Sequence, residues 1–140
     1  MPRTATWHVR DRCLCLAAQR AARALARRFD AAFAPLDLTN GQFSLMMSLN
    51  RPEPPLMGQV AELLAMDRTT LTAALKPLER RRLVRIVADK DDRRGRRLSL
   101  TGAGKFLLKK AYPIWMRTHA ELDKTLGDPK GLRDGLWAIS

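Results

Sequence analysis

The chain is short of acidic residues, cysteines and long apolar runs, and each shortage removes a class of protein. Fourteen acids stand against 26 lysines and arginines, a formal net charge of +12, so the expected partner is a polyanion, with nucleic acid first. Two cysteines, Cys13 and Cys15, are too few for a disulfide scaffold and too close for a zinc ribbon. His8 and His119 stand in no Cys/His ligand spacing, so no metal and no other cofactor is expected. No stretch approaches the ~18 apolar residues of a spanning helix, and no basic-then-apolar segment opens the sequence, so we expect a cytoplasmic protein with no membrane partner. A Ser/His/Asp triad, a paired-carboxylate cleft and a glycine-rich phosphate loop are all lacking, which argues against an enzyme. Internal repeats and low-complexity tracts are lacking too.

What is there is charge in two blocks. Residues 1–29 carry seven arginines and one acid, residues 67–97 carry eleven bases and five acids, and the intervening 30–66 are net negative. The pattern suits an apolar hub beneath a basic surface. At 140 residues a single domain, 1–140, is expected, mainly α with one small β-hairpin, an α+β chain.

Residues 8–34 read as one long helix ended by Ala34-Pro35. A second starts after Thr39 and runs to Asn50, the prolines of 52–55 impose a loop, and residues 57–65 form a short helix with Val60, Leu63 and Leu64 inward. Asp67 is a good N-cap for the next helix, which places Leu71, Ala74, Leu75 and Leu78 on one face and Arg68, Thr69, Thr72 and Lys76 on the other. Pro77 should kink it. Strands at 84–87 and 97–100 follow, joined by the turn Ala88-Asp89-Lys90-Asp91-Asp92-Arg93-Arg94-Gly95-Arg96. Thr101 caps a long helix to about Leu126, bent at Pro113, and Leu132–Ile139 forms the last.

A short helix, a tight turn, an amphipathic helix and an arginine-loaded hairpin make a winged helix-turn-helix, spanning residues 37–100. Arg68, Thr69, Thr70 and Thr72 then occupy the helix that enters a major groove of double-stranded DNA, where arginine forks onto guanine and threonine meets a thymine methyl. Lys76 is placed to meet phosphate. Arg94 at the wing tip suits a minor groove, and Arg93, Arg96 and Arg97 suit phosphates or the aspartates beside them. The helices at 7–34 and 101–140 are left with apolar seams, and a helical dimerisation lobe that buries them in a homodimer is the economical solution. Phe43, Met46, Met47, Trp115 and His119 are candidates to line a small-molecule effector pocket, although a plain core needs the same spacing.

These residues resemble the MarR family of bacterial transcriptional regulators. The similarity runs from about Ala17 to Leu126 and is strongest in Asp89-x-x-Asp92-x-Arg94-Gly95 and Leu98-x-Leu100-Thr101-x-x-Gly104, with Leu64 to Thr72 and Leu38-Thr39-x-x-Gln42-Phe43 as further matches. The resemblance implies a homodimer that reads a palindromic operator, represses nearby genes and is released by a small ligand or an oxidant. Two positions depart from the family. Arg82 stands where glycine is common, at a helix end that usually turns left-handed, and Asp91 replaces a frequent wing arginine. Cys15 lies at the spacing of the reactive cysteine in the family's organic-hydroperoxide sensors, but the tyrosines that surround it there correspond to Gln19, Phe29 and Asn40. Cys13 and Cys15 are therefore expected to be apolar packers, with redox sensing the alternative. The rival function from another class is a sequence-indifferent architectural DNA- or RNA-binding module.

Overall fold

A computed structural model describes residues 1–140. The chain folds into seven α-helices and one hairpin: α1 (Arg3–Arg12), α2 (Leu14–Phe33), a 3-10 turn (Ala34–Leu36), α3 (Asn40–Ser48), α4 (Met57–Leu63), α5 (Arg68–Arg80), β1 (Val84–Ala88), β2 (Arg96–Leu100), α6 (Gly102–Asp123) and α7 (Pro129–Ala138). The strands pair antiparallel with Ile86 opposite Leu98, each one residue longer than the sequence suggests. Leu56 bridges to Arg97, adding a one-residue third strand to the wing.

The helices begin where their capping residues dictate. Thr39 Oγ1 accepts the Gln42 N–H at 3.1 Å while the Thr39 N–H donates to Gln42 Oε1 at 3.0 Å, a reciprocal capping box. Asp67 caps α5 through the Thr70 N–H at 2.7 Å. Thr101 caps α6 through the Gly104 N–H at 3.0 Å and donates its hydroxyl to the Arg82 carbonyl at 2.7 Å. That hydroxyl staples the start of α6 to the end of α5. Gly104 completes the junction, because a Cβ there would lie 2.1 Å from the Leu83 carbonyl oxygen.

Three helix ends turn left-handed on residues other than glycine: Asp37 (φ 51°), Ala65 (φ 52°) and Arg82 (φ 57°). At Arg82 the Leu83 N–H reaches the Leu78 carbonyl and the Arg82 N–H reaches that of Glu79, a complete Schellman motif. The helix thus ends left-handed, in the conformation glycine adopts freely, and arginine bears the strain.

The sequence expectations fail at several boundaries, among them the start of the first helix at Arg3 rather than residue 8 and the end of α4 at Leu63 rather than residue 65. The first helix is two, because Cys13 adopts an extended backbone (φ −77°, ψ 107°) and its sulfur accepts the Leu16 N–H at 3.4 Å; with no residue of α1 buried, no packing holds the two in line. The long helix stops at Asp123 rather than Leu126, and the last starts at Pro129, whose missing N–H suits a first turn capped by Asp128. Helix α3 ends at Ser48, two residues early. Leu63, expected inward, is exposed. Helices α5 and α6 each run through their prolines, Pro77 and Pro113.

The core joins all the central elements. Phe29 and Phe33 of α2, Phe43, Leu45 and Met46 of α3, Val60 of α4, Leu71, Leu75 and Leu78 of α5, Leu98 of β2, and Leu108 and Ala111 of α6 form one buried cluster. Helix α2 is tied to the winged region by polar contacts as well. The Asp30 carboxylate accepts the Asn40 N–H at 2.7 Å and its Nδ2 at 2.9 Å, which holds the carboxyl below the usual range. Arg81 donates to the Asp37 and Leu36 carbonyls.

Candidate nucleic-acid interface

Helix α5 is amphipathic in the way that frees one face for a partner. Leu71, Leu75 and Leu78 are buried, while Arg68, Thr69, Thr70, Thr72 and Lys76 are exposed. The Asp67 carboxylate, held low first by the Thr70 N–H and then by its hydroxyl, engages the Thr70 hydroxyl at 3.0 Å. The Thr72 hydroxyl donates to the Arg68 carbonyl at 2.8 Å. Both threonines therefore present methyl groups and acceptor lone pairs, not free protons. Arg68 has no ion-pair partner and its guanidinium lies alongside Gly58, 3.7 Å from the position a Cβ would take. Thr69 and Lys76 are likewise free of polar side-chain contacts, so Arg68, Thr69 and Lys76 are the unspent donors of the helix.

The wing separates its arginines into two kinds. Arg97, half-buried, donates Nε to Asp89 Oδ1 at 2.7 Å and a terminal nitrogen to the Pro54 carbonyl at 2.7 Å. This bond lowers the Asp89 carboxyl and raises the Arg97 guanidinium. Together with the Leu98 N–H to the Pro55 carbonyl at 3.0 Å, it bolts the wing base to the proline loop. Arg96 donates to the Arg93 carbonyl at 2.8 Å and so closes the tip. Asp92 Oδ1 accepts the Arg94 N–H at 3.0 Å, which leaves the Arg93 and Arg94 guanidinium groups exposed and without partners. Of the four wing arginines, two build the turn and two face outward. Nothing in the sequence identified Pro54 and Pro55 as the anchors, since their contacts cross more than 40 residues.

Of the candidate effector residues, Phe43, Met47, Trp115 and His119 are brought together and Met46 is not. Met46 is fully buried. The other four line two adjoining clefts of about 350 Å³ and 200 Å³ that share Phe43, Ser44 and Trp115 as a wall. Tyr112, Leu63 and Leu64 extend the first, and Phe29, Phe33 and Asn40 the second; none of these was among the pocket candidates read from sequence. The rings lie nearly parallel in a row, Phe33–Phe43 at 4.8 Å and 26°, Phe43–Trp115 at 6.5 Å and 21°, Trp115–Tyr112 at 5.9 Å and 11°. His119 closes one end, 4.8 Å from Trp115 and 5.4 Å from Phe29.

Cys13 is half-buried and Cys15 exposed, so neither packs in the core as expected. Cys15 Sγ accepts the Gln19 side-chain amide at 3.1 Å. The apolar seams of the terminal helices lie open, with Trp7 at 56%, Trp137 at 68% and Ile139 at 66% of full exposure. No helix is long and apolar enough to cross a membrane.

Comparison with known proteins agrees with this geometry. Residues 36–95 match the MarR family profile. The chain is similar to the Mycobacterium tuberculosis transcriptional regulator MosR, crystallised in complex with DNA, at 35% identity and a TM-score of 0.84 over 91% of this chain and 92% of that one. It is similar as well to the transcriptional repressor CouR (Rhodococcus jostii RHA1) bound to a 23-mer duplex, at 29% identity and a TM-score of 0.77 over 94% and 92%. An HTH-type transcriptional regulator of Bacillus subtilis, YybA, is 31% identical over 69% of the chain; the match spans 61% of that protein, under two thirds of its length.

Proposed function

The chain belongs to the MarR family, and from that premise we propose that it is a DNA-binding transcriptional repressor that grips a palindromic operator as a homodimer and is released by a small ligand. The observation that carries the DNA reading is the pairing of a helix whose exposed face keeps Arg68, Thr69 and Lys76 uncommitted with a wing whose Arg93 and Arg94 point away from all protein partners. Arg68 reads a base edge in the major groove, and Arg94 enters the flanking minor groove. The dimer reading draws on the exposed Trp7, Met116, Leu136 and Trp137 of α1, α6 and α7, large apolar side chains that a second copy would cover. The two clefts along α3 and α6 are the ligand's place, since they adjoin both α2 and α4 and a molecule lodged there changes how those helices sit.

The test is the specificity ratio. Duplexes selected from random sequence by the protein should bind roughly 10³-fold or more tighter than scrambled ones; equal affinity for both would make the chain an architectural module instead. A second reading, release by oxidation of Cys13 and Cys15, is favoured by their position at the start of α2, where Cys15 is exposed and Cys13 half-buried, within reach of an oxidant from solvent. An organic hydroperoxide that lowers DNA affinity in the wild type and not in the double Cys→Ser variant would establish it.

A further inference from the structure

The paired clefts contain no Asp, Glu, Lys or Arg among the residues that line them, in a chain of which 29% is charged. We propose that this groove takes an uncharged, planar aromatic molecule and discriminates against its anionic counterpart. The inference rests on the reading of the chain as a ligand-released DNA-binding protein and names the chemical class of that ligand.

Three features carry it. The row of near-parallel rings that starts from the buried Phe33 and Phe43 ends in Trp115 and Tyr112, whose rings reach the surface and offer flat faces on which another ring stacks, the arrangement aromatic pairs favour. The larger cleft, about 350 Å³, falls within the size of small-molecule sites. The polar groups of the two clefts carry no fixed charge and are partly spent, His119 Nδ1 lying 3.7 Å from Asp123 Oδ1. The Ser48 hydroxyl already donates to the Leu45 carbonyl at 2.6 Å, and Asn40 gives its side-chain amide to Asp30 at 2.9 Å. What remains for a ligand is the Ser44 and Tyr112 hydroxyls, the Asn40 carbonyl and the His119 ring. These groups can satisfy an amide, a phenol or a quinone oxygen. A carboxylate in the same place would be desolvated without a counter-charge and would sit one hydrogen bond from the Asp30 carboxylate. Cations line only neighbouring clefts: Lys105 and Lys109 one that shares Met47 and Tyr112 with this groove, and Arg133, already paired with Asp123 at 3.1 Å, one that shares Trp115 and His119.

Titration calorimetry of the full chain with 2-naphthamide and with 2-naphthoate, near-isosteres that differ in charge, tests the idea. The amide should bind at least about tenfold more tightly. Ser44→Lys, which places a cation at an exposed position on the groove wall, should close or reverse that preference. Naphthoate binding as well as or better than naphthamide would overturn the proposal, and loss of its affinity in Lys105→Gln/Lys109→Gln would show that the ligand is an amphipathic acid. Failure of both compounds to bind at millimolar concentration would overturn it too, as would naphthamide binding that weakens with rising protein concentration, which would give the groove to a second copy. Preference for selected over scrambled DNA, measured without either compound, tests the DNA reading separately.

Discussion

Replacing Arg82 by glycine should stabilise the protein, although it deletes a whole side chain. At φ 57° an L-residue in the left-handed region costs about 1–2 kcal/mol. Glycine removes that cost and returns roughly 0.5–1 kcal/mol through the greater freedom of the unfolded chain, for a net gain of about 0.5–1 kcal/mol. Nothing else is lost. The side chain is exposed and forms no ion pair, and the bonds Arg82 makes at this junction use its main chain alone, its N–H donating to the Glu79 carbonyl and its carbonyl accepting the Thr101 hydroxyl. Thermal unfolding at fixed protein concentration should show a Tm increase of about 2–4 °C for a chain of this size. The control is Arg82→Ala. It removes the same positive charge from the neighbourhood of Arg80, Arg81 and Arg85 but keeps the Cβ, and should gain little. A Tm that falls in the glycine variant, or rises equally in both, would refute backbone strain as the cause. Ala65→Gly (φ 52°) should give a similar increment, additive with the first because the two sites share no partner.

Other perturbations separate the two DNA-facing elements and the acid response. Arg94→Ala should weaken binding to selected and scrambled duplexes alike, while Arg68→Ala should also erase base preference at one position, costing roughly 1–3 kcal/mol on the selected duplex; a salt series on both duplexes reads the difference. Arg97→Ala frees the wing from Pro54 and leaves Asp89 unpaired, so amide exchange over residues 88–97 should quicken and DNA affinity fall; unchanged exchange would contradict the anchoring role. Asp30, Asp67 and Asp89 are all held below their ordinary carboxylate values in the folded chain, so their contribution is complete above pH about 4 and is lost as pH falls through the lowered values. Asp67→Asn should flatten that part of the acid unfolding curve, and an identical curve would count against the cap. Deleting residues 129–140 should raise the dissociation constant of the proposed dimer and weaken DNA binding together, as sedimentation and a binding titration on one sample will report; a full-length chain that sediments as a monomer and still binds its selected duplex tightly would refute the dimer.

Local chemistry was legible in the sequence and long-range chemistry was not. Thr39, Asp67 and Thr101 announced three helix starts because capping depends on residues two or three positions away. The left-handed turn at Arg82 could be placed from the register of α5 and the strand that follows. The break at Cys13 could not, because its alanine- and arginine-rich surroundings favour helix and only the lack of any packing for α1 lets a weak sulfur cap decide. Arg97 looked like its neighbours in the turn, and only the fold, by bringing Pro54 within reach, sets it apart from Arg93 and Arg94. The groove was visible as a few apolar residues at core spacing, but its division from the core at Met46 depends on how α3 is rotated against α6.

The buried cluster has a consequence for inheritance. Residues 37–100 contain every element of a winged helix-turn-helix, yet Phe29 and Phe33 enter the core from one side of that segment in sequence and Leu108 and Ala111 from the other. Cut out alone, the segment would expose the apolar surface these four cover and lose the tethers from Asp30 to Asn40 and from Arg81 to Leu36. It cannot be transplanted as a cassette onto an unrelated assembly unit. If α5 reads DNA as proposed, a lineage built this way changes its DNA preference by substitution on the outer face of α5, where the Arg68 and Thr69 side chains form no hydrogen bond or ion pair within the protein, while shuffling of the reading head between proteins is closed to it.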